Sequence, residues 1–285
     1  MKILVTGGTG FFGSHVARAF VTAGHTVRAT RRPTSSLTRL AETAASIEWR
    51  DAAEDASRLV AGADVVFHAA THYGRGAADA DVARVNDAWP AALLESSGPG
   101  ALFVNVDTSL PPGLSAYAAT KRTFRERAHQ AARTGRVRVL NLALESVFGP
   151  GDDPAKFQMA LIRALVSNEA TFPLSPGEQT RDYVFIDDAV DAAVRIAEHA
   201  AGSAAPYLVA GVGRGEEVSI RKFAETARRV AGSGTRLEFG ALPYRAGELM
   251  QARADTSLAT SLGWSARHTV EQGLRITIES ERRAR

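Results

Sequence analysis

Tyr117 and Lys121 stand four residues apart in the run Ser115-Ala116-Tyr117-Ala118-Ala119-Thr120-Lys121. An alanine-rich stretch favours helix, and i,i+4 spacing puts both side chains on one helical face. A phenol ordinarily keeps its proton to about pH 10. A cation one turn away favours the phenolate and lets the tyrosine exchange a proton near neutral pH. Spacings this short recur by chance, so the pair carries chemistry only where other elements set it over a cleft.

A second piece of chemistry lies at the start of the chain. Gly7, Gly10 and Gly13 are three apart, between the apolar run 2–6 and a helical pattern over 11–21. Glycines there allow a tight turn, a close approach of backbone to a pyrophosphate, and tight helix–sheet packing. The helix N-terminus adds free N–H groups and a partial positive charge. The turn therefore predicts a dinucleotide site. The next strand ends Val27-Arg28-Ala29-Thr30-Arg31-Arg32-Pro33, without an acid. A carboxylate there holds the ribose 2′-hydroxyl of NAD, whereas arginine binds a 2′-phosphate bidentately. Arg31 and Arg32 predict NADP(H) as the preferred cofactor, with NAD(H) as the other candidate.

These residues need a scaffold. The 285 residues are 45% hydrophobic and 23% charged, enough for a sizeable core. The net charge is +3 and the basic residues are scattered, which calls for no nucleic acid; a small anionic ligand accounts for them. Without cysteine there is no disulfide, thiol nucleophile or cysteine-ligated metal. The N-terminus enters a strand directly, and no apolar run is long enough to span a membrane, so a soluble cytoplasmic protein is expected.

Apolar strands over 2–6, 25–30, 63–68, 101–106 and 137–142 alternate with helices over 11–21, 55–61, 81–96 and 115–134. This order predicts an α/β fold with a doubly wound parallel sheet of Rossmann type, ligands lying at the carboxyl ends of its strands. Beyond Gly149-Pro150-Gly151, prolines interrupt shorter elements, with helices over 155–168, 187–200 and 220–231. We read residues 1–150 as a dinucleotide-binding domain whose sheet is completed by later segments. Residues 151–285 read mainly as a smaller mixed α/β substrate-binding cap, and 281–285 as a fraying charged end.

Further motifs follow in order: Thr6-Gly7-Gly8-Thr9-Gly10-Phe11-Phe12-Gly13, Asp51-Ala52, His68-Ala69-Ala70, Asn86, Val147-Phe148-Gly149-Pro150-Gly151, Arg181-Asp182-Tyr183-Val184-Phe185-Ile186-Asp187-Asp188, Tyr244-Arg245-Ala246-Gly247-Glu248 and Leu262-Gly263-Trp264. With these in place the chain resembles the extended short-chain dehydrogenase/reductases, a family of nucleotide-sugar epimerases, dehydratases and ketoreductases. The resemblance covers nearly the whole chain.

It implies that Thr9, Phe11 and Phe12 sit in the cofactor turn and that Asp51 and Ala52 meet adenine. His68, Ala69, Ala70 and Asn86 would line the cofactor. Tyr117 would exchange a proton with the substrate oxygen. Lys121 would hold the nicotinamide ribose and lower the Tyr117 pKa. Thr108 would hydrogen-bond the reacting oxygen, and Arg181 and Arg245 would clamp a nucleotide-sugar diphosphate. Homodimerisation through two helices, one carrying the Tyr/Lys pair, is also implied. Asp182, Asp187 and Asp188 read as caps of a local turn and helix. His68 and His72 read as structural or solvated.

Two departures narrow this reading. Only nine positions separate Thr108 from Tyr117, leaving Ser109 and Ser115 as other sources of the hydroxyl. Ser109-Leu110 also stand where the family's 4,6-dehydratases carry an Asp-Glu pair, which argues against dehydration. The run Asn105-Val106-Asp107-Thr108-Ser109-Leu110-Pro111 looks most like ketoreductases of the CDP-abequose-synthase type, which reduce 4-keto-6-deoxysugar nucleotides. The alternatives are a nucleotide-sugar 4-epimerase, a non-catalytic NADP-binding protein, and a reductase of non-sugar carbonyls.

Overall fold

The computed structural model describes residues 1–284. Its first part runs β1 (Lys2–Thr6), α1 (Phe11–Thr22), β2 (Thr26–Arg31), β3 (Ile47–Asp51), α2 (Ala56–Val60), β4 (Val65–His68), α3 (Asp79–Ala83), α4 (Trp89–Ser96), β5 (Leu102–Thr108), α5 (Ala116–Arg133) and β6 (Arg138–Leu144). A π-helical turn, Arg84–Ala88, joins α3 to α4. There follow β7 (Ser146–Phe148), α6 (Phe157–Val166), β8 (Thr171–Leu174), β9 (Thr180–Arg181), β10 (Tyr183–Phe185), α7 (Ile186–Gly202) and β11 (Tyr207–Val212). The chain ends with β12 (Val218–Ser219), α8 (Ile220–Ala231), β13 (Arg236–Phe239), α9 (Ser257–Ser261) and α10 (Val270–Arg283).

Seven strands form one parallel sheet in the order β11-β6-β5-β4-β1-β2-β3. The winding reverses between β1 and β4, where a doubly wound sheet opens a crevice at its strand carboxyl ends. The inner strands are buried on both faces because their side chains are almost continuously apolar. Phe20 packs edge-on against Phe67 on one side of the sheet, and Phe103 meets Phe124 on the other. No helix among the described residues is long and apolar enough to cross a membrane.

Two sheet strands fall outside the run predicted by periodicity. Edge strand β3, Ile-Glu-Trp-Arg-Asp, carries charges on every second residue, and Arg50 pairs with both Glu48 and Glu54. Strand β11 lies far downstream and reaches β6 in parallel register, Tyr207 opposite Val139. Helix α7 leads into it and packs against α1. The segment from Ile186 to Val212 therefore returns to the sheet layer, although it follows the Gly149-Pro150-Gly151 break.

The remaining elements cover the strand ends. Tyr183 stacks on Phe223 with ring centroids 4.0 Å apart, and Phe148 stands edge-on to both. Asp182 has a longer reach than the local turn expected of it. Its buried carboxylate accepts backbone N–H groups of Arg214 (2.7 Å), Gly215 (2.8 Å) and Ala254 (3.1 Å), tying three distant segments together. Asp188 likewise holds His268 through its backbone N–H and ring nitrogen. The tail does not fray where expected: α10 continues through Arg283, and Glu281 pairs with Arg163 at 2.8 Å. Residue 285 of that stretch lies outside the described residues.

Candidate active site

A cleft of about 1590 Å³ opens at the carboxyl ends of β1, β2, β4, β5 and β6. One end is the glycine turn. Gly7 adopts φ +66°, and a Cβ there would stand 2.8 Å from the backbone of Ala70. A Cβ on Gly13 would lie 2.3 Å from the Gly7 carbonyl oxygen, so the helix start can press on the turn only without a side chain. Thr30 turns inward, its hydroxyl accepting the Gly7 N–H at 3.2 Å, and leaves Arg31 and Arg32 at the cleft edge. Arg31 lies over the Trp49 ring, 5.9 Å from its centroid. This bare backbone turn, a helix N-terminus without acids and two arginines fit a dinucleotide phosphate group. Thr9, Gly10, Phe11, Phe12, Asp51, Ala52, Ala69 and Ala70 line the same space.

Two residues expected to line the cofactor stand behind the wall instead. His68 is fully buried among Trp89, Phe103 and Phe124, and its Nδ1 meets Thr6 Oγ1 at 2.9 Å. Burial first, then the Lys121 charge, push its pKa well below the ordinary histidine range, so it stays neutral. Thr6 Oγ1 in turn accepts the Ala70 N–H, so His68 acts on the cleft only through that hydroxyl. Asn86, also fully buried, accepts the His72 N–H at 2.8 Å and donates to the His72 carbonyl at 2.9 Å. It fixes the loop after β4 and does not line the cleft.

The other end holds the Tyr/Lys pair. Ser115 caps α5, its hydroxyl accepting the Ala118 N–H at 3.2 Å, which starts the helix just before Tyr117. Ser109 hydrogen-bonds Glu145, while Thr108, largely buried at the end of β5, hydrogen-bonds the Tyr117 phenol. Of the three hydroxyls weighed from sequence, Thr108 is the one that meets Tyr117. Lys121 is 2% exposed and donates to the Val106 carbonyl at 2.7 Å. Arg125, one further turn along α5, reaches Asp107 at 3.4 Å. Asp107 also accepts from Asn141 at 2.9 Å and from the Thr108 N–H at 2.8 Å, which pins the strand end under the helix.

The electrostatics differ from the expectation at one point. Burial lowers the Lys121 pKa to about 8, with Asp107 drawing it back upward. Burial also raises the Tyr117 pKa, helped by Tyr73 and Asp107 and opposed by the Thr108 hydrogen bond. The expected lowering of the phenol by Lys121 is absent from this balance, since that ammonium faces Val106 O and Asp107. Tyr117 therefore keeps its proton through the neutral range, which suits a proton donor.

The cap contributes several groups. Arg181 lines the cleft, but its guanidinium donates to the carbonyls of Thr180 (2.7 Å) and Leu249 (2.6 Å) and to Glu248 (2.5 Å). Arg245 is exposed at the rim, and its side chain makes no hydrogen bond or ion pair among the described residues. Periodicity missed further cleft residues, Lys156, Arg39 and Glu145 among them. Lys156 pairs with buried Asp152 at 2.9 Å and lies 5.5 Å above the rings of both Phe11 and Tyr73. Tyr73 in turn packs against Tyr117, ring centroids 5.2 Å apart. Arg39 bridges the carbonyls of Thr9 and Gly151. Glu145 enters where β6 gives way to β7. No spacing rule marks a single charged residue in a loop, and only the fold brings them here.

Residues 3–109 and 98–210 match the model of the NAD dependent epimerase/dehydratase family. The chain is 28% identical over 287 residues to the CDP-abequose synthase of Salmonella muenchen, with 96% of each chain covered. Among solved structures it is similar to the UDP-glucose 4-epimerase of Thermotoga maritima with UDP-glucose (TM-score 0.85, 22% identity, 100% and 99% covered). It is also similar to the UDP-glucuronic acid 4-epimerase of Bacillus cereus in complex with NAD (TM-score 0.85, 25% identity, 100% and 99% covered).

Proposed function

This chain is a member of the NAD dependent epimerase/dehydratase family, and on that footing we propose that it is an NADPH-dependent reductase of a nucleotide-linked 4-keto-6-deoxysugar. The observation that carries the reading is the Tyr117 phenol. It retains its proton, touches Thr108, and shares one cleft with a dinucleotide turn that ends in Arg31 and Arg32. The nearly full-length likeness to CDP-abequose synthase supports a reductase over other family chemistries.

A bound reduced nicotinamide would supply the hydride for C4. Tyr117 delivers its proton to the oxygen of that carbon as it becomes an alkoxide. Thr108 donates a hydrogen bond to the same oxygen, and charged Lys121 would hold the nicotinamide ribose. Arg31 and Arg32 would hold the 2′-phosphate, and the Gly7–Gly13 turn with the start of α1 would hold the pyrophosphate. Exposed Arg245 would meet the diphosphate at the substrate end, where Arg181 is already held by Glu248 and two carbonyls.

Lys121 gives the reaction a pH signature. The ammonium loses its proton as pH rises through about 8, so kcat/KM is expected to be level below that value and to fall tenfold per unit above it. A rate profile that stays level to pH 10 would remove Lys121 from the charged role.

The direct test mixes purified protein with CDP- or dTDP-4-keto-6-deoxyglucose and follows NADPH oxidation. One NADPH consumed per keto sugar, with at least about tenfold preference over NADH, is the expected result. Alanine at both Arg31 and Arg32 is expected to cut kcat/KM for NADPH by about 10–100-fold and to leave NADH nearly unchanged, given about 1.5–3 kcal/mol per hydrogen bond to a charged group. The solved relatives named above are 4-epimerases, which favours that activity as the second reading. Tightly held NAD with interconversion of hexose epimers and no net NADPH use would establish it. Binding of NADPH with no carbonyl turned over would instead favour a binding protein.

A further inference from the structure

We propose that Glu145 is a specificity-determining residue of the sugar subsite, one that admits neutral hexose rings and turns away nucleotide hexuronates. The inference rests on the nucleotide-sugar reading above and deepens it by naming a class of sugar.

The placement follows from strand register. Thr108 on β5 lies opposite Leu144 on β6, so the next pair in the ladder sets Ser109 opposite Glu145. Neighbouring strands are about 4.8 Å apart, less than the width of a hexose ring with its substituents. A sugar oxygen placed on Thr108 and Tyr117 therefore puts part of the ring beside Glu145. The Glu145 backbone is fixed by its N–H bond to Val212 O at 3.0 Å and by the Val147 N–H bond to its carbonyl at 2.8 Å. Its side chain lines the cleft with Thr108, Ser109 and Tyr117, and Ser109 hydrogen-bonds the carboxylate.

What sets Glu145 apart is charge. At this end of the cleft Asp152 pairs with Lys156, Asp153 with Arg75, and Asp107 with Arg125. Glu145 makes no ion pair within 4 Å among the described residues. Burial raises its pKa above the ordinary carboxylate range; the Ser109 hydrogen bond and then Arg181 oppose this, but the Arg181 guanidinium is committed to Glu248 and two carbonyls. A half-buried carboxylate without a counter-charge accepts hydrogen bonds from sugar hydroxyls. Against a second carboxylate it is repulsive, and the low dielectric of the cleft strengthens that repulsion.

The test uses the full chain with NADP⁺ bound and calorimetric titration. Whichever of UDP, CDP or dTDP binds is used to carry glucose, glucuronic acid and glucuronamide. Wild type is expected to bind the glucose and glucuronamide forms alike and the glucuronate form at least about tenfold more weakly. Glu145→Gln is expected to tighten the glucuronate form by about tenfold and to leave the other two within a factor of three. Equal wild-type affinity for glucuronate and glucuronamide overturns the proposal without needing the variant. An unchanged ratio in a variant that still binds NADP⁺ overturns it as well. If none of the three nucleotides binds, the nucleotide-sugar reading itself falls, a result distinct from loss of the sugar preference alone.

Discussion

Replacing Tyr117 with phenylalanine is expected to lower kcat by about 10²–10⁴-fold, the range for a positioned proton donor. The ring stays: it packs against Tyr73 and stands half-buried on α5, one turn before Lys121. Only the hydroxyl is lost, and Thr108 and Lys121 remain to orient and charge the site. Binding should therefore change little. NADPH affinity, measured by fluorescence titration, is expected to stay within about twofold, and KM for the keto sugar within a few fold. Such a split between kcat and binding is the mark of an interaction used in the transition state. Retention of wild-type turnover would remove Tyr117 as the donor.

The second large effect is expected at Gly13. An alanine methyl would have to stand 2.3 Å from the Gly7 carbonyl oxygen and 2.9 Å from its carbon, and both atoms are backbone. No rotamer change relieves that contact. The start of α1 must move off the turn, and its N–H groups move with it. Overpacking of this kind costs about 1–3 kcal/mol. If the dinucleotide turn bears that cost, NADPH binds about 10–100-fold more weakly in Gly13→Ala. Gly98→Ala is the matched control, because a Cβ there meets nothing within 4 Å. Calorimetric Kd values for the two variants check this, and equal Kd values for both would show that the turn tolerates the displacement.

Legibility followed range along the chain. Gly7, Gly10 and Gly13 act on one another within two turns of backbone, and Tyr117 and Lys121 within one. Their relation was therefore present in the spacing. The alternating apolar strands likewise imposed a parallel sheet, since only burial on both faces accommodates them. β3 was hidden because an edge strand can pair its charges beside solvent and need not be apolar. β11 was hidden because its partner β6 lies more than sixty residues away. His68 and Asn86 illustrate the limit at the site. Their motifs placed them beside the cofactor, and packing turned one into an aromatic cluster and the other into a loop.

Sequence alone determined that a dinucleotide turn, a strand end without acid and a helical Tyr/Lys pair occur in the right order. Local geometry fixes those features whatever the rest of the chain does. The tertiary structure decided which hydroxyl meets Tyr117, and that burial rather than Lys121 governs its proton. It also decided that Arg181 is held by Glu248, and that Glu145 lines the cleft near Thr108 and Tyr117 without an ion-pair partner among the described residues. Each of these depends on desolvation and on neighbours tens of residues away, and neither quantity exists until the chain has folded.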